Sequence, residues 1–297
     1  KSVNERFSPL ILRKHPQWVD EVVNNVRKLI GNGPDWSLKE DEFFFGPGSS
    51  YAIKGQHINL LDKLERQPSI SEGCKHFISF ILENTTYSDH IDLDTCTIVN
   101  HNYFSWVPKK FDQLRGICIE NDLNVVGQKF VGNRLRKSLR RKAYDLNNQH
   151  ALHKEAVRLC SLVHNSAERL PLATRDLRNA SNSIARNVVK YCFPPIWHHA
   201  MNLTRSHKTQ IGNLIHENEL FSSMGNGFTF EMETILFLAV LMTLPHNDFL
   251  RKEGTRIVGH VSVFGDDIIC HEDDVSLLDE RLLYLGFEIN HEKSFAT

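Results

Sequence analysis

Val261-Ser262-Val263-Phe264-Gly265-Asp266-Asp267-Ile268-Ile269 is the stretch whose reading decides the fold. Two adjacent carboxylates stand between two apolar, β-branched runs, behind a glycine that permits a tight turn. A turn this short joins only antiparallel strands. Gly and Asp are also ordinary turn residues, so a plain hairpin is the simplest reading. Two features point beyond it. The flanks are apolar enough to be buried, and neighbouring aspartates at a hairpin tip repel each other unless a cation neutralises them. Mg²⁺ is a hard cation that prefers carboxylate oxygen and would serve.

Outward from the hairpin, short strands and helices alternate from about residue 170. Ala173 to Leu177 reads as a strand, 181–192 as a helix, and 258–271 as the hairpin. A helix over 274–285 is ended by Gly286, and 287–290 is a short strand. The antiparallel hairpin makes the class α+β rather than doubly wound. Upstream, Val19, Val22, Val23, Val26, Leu29 and Ile30 recur at helical spacing within a helical region spanning 1–45. A glycine-proline loop follows at 46–50, then a mixed helical pattern over 56–84. Strands are expected over 91–107 and 114–120, and a helix over 122–142.

Composition narrows the possibilities. The chain has 297 residues, 35 Lys+Arg against 36 Asp+Glu, a net charge of −1 and 41% hydrophobic residues, so it is neither disordered nor collagen-like nor a coiled coil. The longest apolar run, Ile235 to Met242, is far short of the roughly 20 residues that cross a bilayer. Six scattered cysteines without a C-x-x-C pair argue against a zinc site or a disulfide scaffold and fit a reduced, cytoplasmic setting. No two of the 16 histidines stand in an H-x-x-x-H arrangement.

A metal pair needs a further carboxylate from another element. Asp176, at the end of a strand-like run, is the candidate, although a helix cap is the plainer explanation for it. Three such aspartates could hold two metals about 4 Å apart, activating an attacking hydroxyl and stabilising a leaving pyrophosphate. Between them, Ser222-Ser223-Met224-Gly225-Asn226-Gly227-Phe228 is a small-residue loop that lets backbone approach a ligand closely, with Asn226 available to a sugar hydroxyl. Lys109, Lys110 and Arg115 form one basic group. Arg134, Arg136, Lys137, Arg140, Arg141 and Lys142 form a second, on an amphipathic helix marked by Val131, Leu135 and Leu139. A solvated face would explain the second group, but mutually repelling cations would also be relieved by a phosphate partner, with affinity gained through counterion release.

These segments, in this order, resemble the replicases of single-stranded RNA bacteriophages, the leviviruses. The likeness is carried by Val107-Pro108-Lys109, Arg115 to Glu120, Leu123-Asn124 and Asp145 to Gln149. It continues in Ser222 to Glu231, Phe264-Gly265-Asp266-Asp267, Gly286-Phe287 and Lys293-Ser294-Phe295, and it includes the early Phe45-Gly46-Pro47-Gly48-Ser49 loop. The match covers roughly residues 40–297. It implies an RNA-dependent RNA polymerase of right-hand architecture, with an N-terminal and fingers region over 1–169 and a palm over 170–297. The thumb is expected to be missing or truncated, because the family continues beyond Thr297 and this chain also starts without Met.

By the same resemblance, Asp176, Asp266 and Asp267 hold two Mg²⁺ ions (or Mn²⁺), and Lys293 protonates the leaving pyrophosphate as general acid. Lys109 and Arg115 would contact the incoming triphosphate. Asn182, Ser223, Gly225 and Asn226 would check the ribose and template. Implied partners are RNA template and product, NTPs, host elongation factors Tu and Ts and a ribosomal protein, in the cytoplasm of the bacterial host and without a membrane. The chain departs from the family at Asn182, usually an aspartate, and at Arg175 and Arg178, usually small or apolar. Two other readings stay open: a reverse transcriptase or cyclase of the palm type, which would prefer other nucleotides, and a catalytically impaired RNA-binding fragment.

Overall fold

The computed structural model describes residues 1–10, 14–37, 45, 49–53, 62–63, 65–160 and 170–295. In chain order the elements are α1 (Ser2–Arg6), α2 (Gln17–Ile30), β1 (Ser69–Ile70), α3 (Glu72–Leu82), β2 (Thr97–Ile98), β3 (Asn102–Lys110), β4 (Gln113–Ile119), α4 (Asp122–Arg141) and α5 (Leu146–Cys160). There follow β5 (Leu172–Arg175), β6 (Leu177–Arg178), α6 (Arg186–Cys192), α7 (Pro195–Thr204), β7 (Lys208–Ile211), β8 (Leu214–Glu217) and α8 (Thr229–Leu241). The chain closes with β9 (Arg251–Glu253), β10 (Arg256–Val258), β11 (Ser262–Phe264), β12 (Asp267–His271), α9 (Val275–Leu285) and β13 (Glu288–Ile289). The class is α+β.

The chain forms two compact units, neither of them continuous. The first comprises residues 1–33, 135–195 and 230–297, and the second comprises 34–134 and 196–229. A single boundary at 169/170 therefore falls inside the first unit.

In the first unit, α8 is the centre. Met232 and every residue from Ile235 to Leu241 are fully buried, so this helix is apolar all round. The amphipathic α2 turns Val19, Val22, Val26 and Leu29 inward, as their spacing predicts. Its buried Asn25 donates to the carbonyl of Ala239 on α8 at 3.1 Å. Strands β11, β12 and β5 form an antiparallel sheet in that order. Alongside, β6 pairs with β13.

In the second unit, a four-stranded sheet runs β4-β3-β7-β8, with β3 antiparallel to β4 and parallel to β7. The β7–β8 hairpin carries no strong alternation and was not legible in the sequence. Helices α3, α4 and α7 are tied by amides. Asn124 donates to Ser71 Oγ and to the Thr204 carbonyl, and Gln128 donates to the same carbonyl at 3.0 Å. Glu120, wholly buried, accepts from Asn102 and Ser206 at 2.8 and 2.6 Å.

Three expectations shift. The helix read over 181–192 begins only at Arg186, because Asn179 is left-handed (φ 52°) and residues 180–182 form a 3₁₀ turn. The hairpin read over 258–271 is two hairpins, β9–β10 and β11–β12. Helix α5, over which no element was expected, packs on β11. The Gly46-Pro47-Gly48 loop lies outside the described residues. All six cysteines are free and buried, and among the described residues no helix is long and apolar enough to cross a membrane.

Candidate active site

Strands β11 and β12 close with the pair Phe264↔Asp267, which leaves Gly265-Asp266 as a two-residue turn. Gly265 has φ +66° and Asp266 does not share that sign, the pattern of a type II′ turn with glycine first. A Cβ on Gly265 would stand 2.6 Å from the Phe230 ring, and its N–H donates to Thr234 Oγ1 at 3.0 Å, so the turn is seated on α8. Strand β11 is an edge strand. The Tyr144 hydroxyl covers that edge, donating to the Val263 carbonyl at 2.6 Å and accepting from the Val263 N–H at 2.7 Å. From α5, Gln149 donates to Ser262 Oγ at 2.7 Å, with His153 Nδ1 3.1 Å from the same oxygen.

On the other side of β12, β5 pairs through Arg175↔Ile268. One further step of that register sets Asp176 across from Asp267, where facing residues lie about 5 Å apart at Cα. The Asp176 carboxylate accepts from Asn290 Nδ2 at 2.8 Å and stands 3.7 Å from Lys293 Nζ. Its backbone N–H donates to Ser294 Oγ at 3.1 Å. The segment after β13 thus wraps around Asp176.

Burial, then the charges of Asp266 and Asp176, push the Asp267 carboxyl above its usual range, while His150 and Lys293 pull it back. A cavity of about 390 Å³ opens here, lined among others by Asp176, Asp267, Lys293, His150 and His153. Crowded carboxylates whose mutual repulsion is visible in a raised pKa form a hard-oxygen donor set that suits Mg²⁺.

A further acid belongs to this neighbourhood. Glu233 on α8 is almost wholly buried, and its Oε1 has no hydrogen-bond partner among the described residues. Burial, and behind it the charge of Asp266, raise its carboxyl to about 8, against a bond from Ser181. The sequence hid it inside an apolar helix read as core. The two unusual arginines are structural: Arg175 is buried and bridges to Asp279 on α9 at 2.9 Å, and Arg178 pairs across β6–β13 with Glu288 at 3.0 Å. Asn182 is exposed on its 3₁₀ turn in the same unit.

Lys109, Arg115, Ser223, Gly225 and Asn226 lie in the second unit. Lys109 and Arg115 are exposed on the outer half of the β3–β4 hairpin, beside a bulge between Pro108 and Lys110. The loop at 222–227 is held to β4. The Cys118 N–H donates to the Met224 carbonyl at 2.9 Å, and Gly225, at φ +111°, leaves no room for a Cβ, which would fall 2.4 Å from the Cys118 oxygen. Ser223 accepts from the Asn226 N–H through its carbonyl at 3.1 Å. The Asn226 side chain is buried. Its oxygen caps the Phe228 N–H at 3.1 Å, and its Nδ2 has no partner among the described residues.

The basic helix needs correction. Arg134 is buried, donates to the Ser37 carbonyl and lies over the Phe130 ring, so it does not face RNA. Arg136 is committed to Glu231 through two bonds of 3.1 and 2.6 Å. Helical periodicity cannot show this, since it places cations on a face without showing which acids meet that face. Lys137 is half-buried, and Arg140 and Arg141 are exposed.

The site is thus an acidic hairpin faced by a third aspartate and a lysine, on an α+β frame. The chain belongs to the RNA replicase beta-chain family, whose family model matches residues 11–297. It is 34% identical over 287 residues to the RNA-directed RNA polymerase beta chain of Enterobacteria phage fr, covering 94% of this chain and 50% of that protein. It is 33% identical over 304 residues to the corresponding chain of Escherichia phage MS2, covering 96% and 51%. The polymerase subunit beta of Escherichia virus Qbeta is 33% identical over 211 residues, covering 70% and 33%. The chain spans about half the length of the curated relatives fr and MS2 that it matches. Among solved structures, the BmCPV RNA-dependent RNA polymerase at its elongation state aligns with a TM-score of 0.39 at 13% identity, over 97% of this chain and 26% of that one, too loosely to bear on the fold.

Proposed function

We propose that this chain carries the palm and fingers parts of an RNA-dependent RNA polymerase and the centre for template-directed nucleotidyl transfer, working on RNA and NTPs in the cytoplasm of a bacterial host. The observation that supports it most is the placement of Asp176 opposite Asp267, beside Asp266 in a turn fixed from behind. Asp176, Asp266 and Asp267 would hold two Mg²⁺ ions. Such ions, when bound, lower the pKa of an attacking hydroxyl and offset charge on a leaving pyrophosphate.

This chain's own residues do the rest. Asn290 and Ser294 fix Asp176, and Thr234 and Tyr144 fix the hairpin, so the acids need little reorganisation. Lys293, exposed and resting 3.7 Å from Asp176, carries a proton it can give to a pyrophosphate oxygen. Lys109 and Arg115, exposed on their hairpin, suit triphosphate oxygens. The rigid Ser223-Gly225-Asn226 loop, with its unmatched amide, suits a ribose or template contact, and exposed Asn182 can meet a 2′-hydroxyl. Lys137, Arg140 and Arg141 suit RNA phosphates.

The test is incorporation of labelled ribonucleotide on a primed RNA template. Mg²⁺-dependent incorporation that falls about 10³-fold or more in Asp266→Asn is expected. Incorporation that survives the substitution, or a preference for dNTPs, contradicts the reading. Salt-sensitive RNA binding with no incorporation would instead select the impaired RNA-binding fragment.

A further inference from the structure

His246, His260 and His271 are far apart in sequence and form no local metal motif, yet the fold of the first unit gathers them. His246 follows α8, His260 precedes β11, and His271 ends β12. The rings of His246 and His271 stack with centroids 3.9 Å apart at 18°, and His260 meets both edge-on at 5.5 and 5.1 Å. Next to His271, the 3₁₀ turn 272–274 adds two carboxylates. Asp274, buried, accepts from the His246 backbone N–H at 2.9 Å and faces its Nδ1 at 3.2 Å. Asp273, exposed, brings Oδ2 to 3.5 Å from His271 Nδ1. One donor atom each from His246, His271 and Asp273 lies within 4.8 Å of the other two.

We infer that His246, His271 and Asp273 form a site for one divalent first-row transition-metal ion, with Zn²⁺ the best fit. Zn²⁺ bonds of 2.0–2.2 Å in tetrahedral geometry set neighbouring donors about 3.3 Å apart. Asp273 Oδ2 stands near that spacing from His271 Nδ1, which without an ion accepts from the Asp273 N–H at 3.2 Å, so metal binding exchanges that bond for the ion and turns the stacked imidazoles until their lone pairs meet it. A carboxylate behind a metal-bound imidazole is the usual means of fixing its ring and tautomer, and Asp274 stands there for His246. That arrangement leaves Nε2 of His246 for the ion.

His260 completes an imidazole-rich wall. Its Nδ1 is buried without a hydrogen-bond partner among the described residues. Two imidazoles with one carboxylate favour Zn²⁺ and its neighbours over Mg²⁺. His271 lies four residues along β12 from Asp267, about 13 Å, so no ion could bridge the two centres. An ion here would brace the turn after α8, the entry to β11 and the start of α9.

The test uses the whole chain, stripped with chelator and kept in excess Mg²⁺ to occupy carboxylate sites. Zn²⁺ is titrated by calorimetry, and Co²⁺ by its visible absorption. One Zn²⁺ per chain is expected, with a raised Tm and a Co²⁺ d–d band. Asp273→Asn, a surface change that leaves the metal-free Tm as it was, should weaken binding about tenfold or more. His271→Ala should abolish it, and Asp266→Asn should leave it intact. Absence of stoichiometric uptake, equal uptake by Asp273→Asn, or loss of uptake in Asp266→Asn would each overturn the assignment.

Discussion

Two antiparallel hairpins in this chain share a connection type and little else. The β11–β12 hairpin is held at three positions: Phe230 and Thr234 under Gly265, Tyr144 on Val263, and α5 on Ser262. The β3–β4 hairpin ends among exposed apolar and basic side chains, with Trp106 60%, Phe111 103% and Leu114 65% exposed. The contrast follows from what each hairpin carries. On the proposed function, like charges that are to share a cation must be held before it arrives, because the fold bears their repulsion, whereas lysine and arginine meeting a flexible phosphate would need reach more than rigidity.

The largest expected effect breaks the buttressed turn. Gly265→Ala adds backbone strain at positive φ and an overlap with Phe230, each costing about 1–3 kcal/mol, so chemical denaturation should show a loss of about 4 kcal/mol. Next comes acid sensitivity at α5. Burial, and behind it the charge of His150, lower His153 from 6.5 to about 4. The unfolded chain therefore binds a proton as pH falls below 6.5 while the native chain does not, and stability drops between pH 6.5 and 4. The drop should total about 3 kcal/mol, level off below that window, and be largely absent in His153→Gln. Tyr144→Phe uncovers both backbone groups of Val263 and should cost about 2 kcal/mol, read as a shift in urea midpoint. The smallest effect is on the other hairpin, where Phe111→Ser should change stability by less than about 0.5 kcal/mol.

What was legible in the sequence is what local pattern encodes. The Gly-Asp-Asp turn, the end of β5 just before Asp176 and the apolar face of α2 follow from neighbours in the chain and from two-residue or three- to four-residue periodicity. What was hidden depends on partners far along the chain. Glu233 looked like one polar residue in an apolar helix. Arg134 and Arg136 looked like members of a cationic face until Ser37 and Glu231 met them. The histidine cluster joins residues 246, 260 and 271, a spacing no motif anticipates. Arg175 and Arg178, odd as family residues, make sense only beside Asp279 and Glu288.

The account rests on Asp176 facing Asp267 across two strands, and the most direct measurement is a ¹³C NMR pH titration of the Asp267 carboxyl in the parent chain and in Asp176→Asn. Because the charge of Asp176 raises the Asp267 pKa, removing it should lower the Asp267 midpoint. An Asp267 midpoint unmoved by Asp176→Asn would mean that the two carboxylates do not share a site.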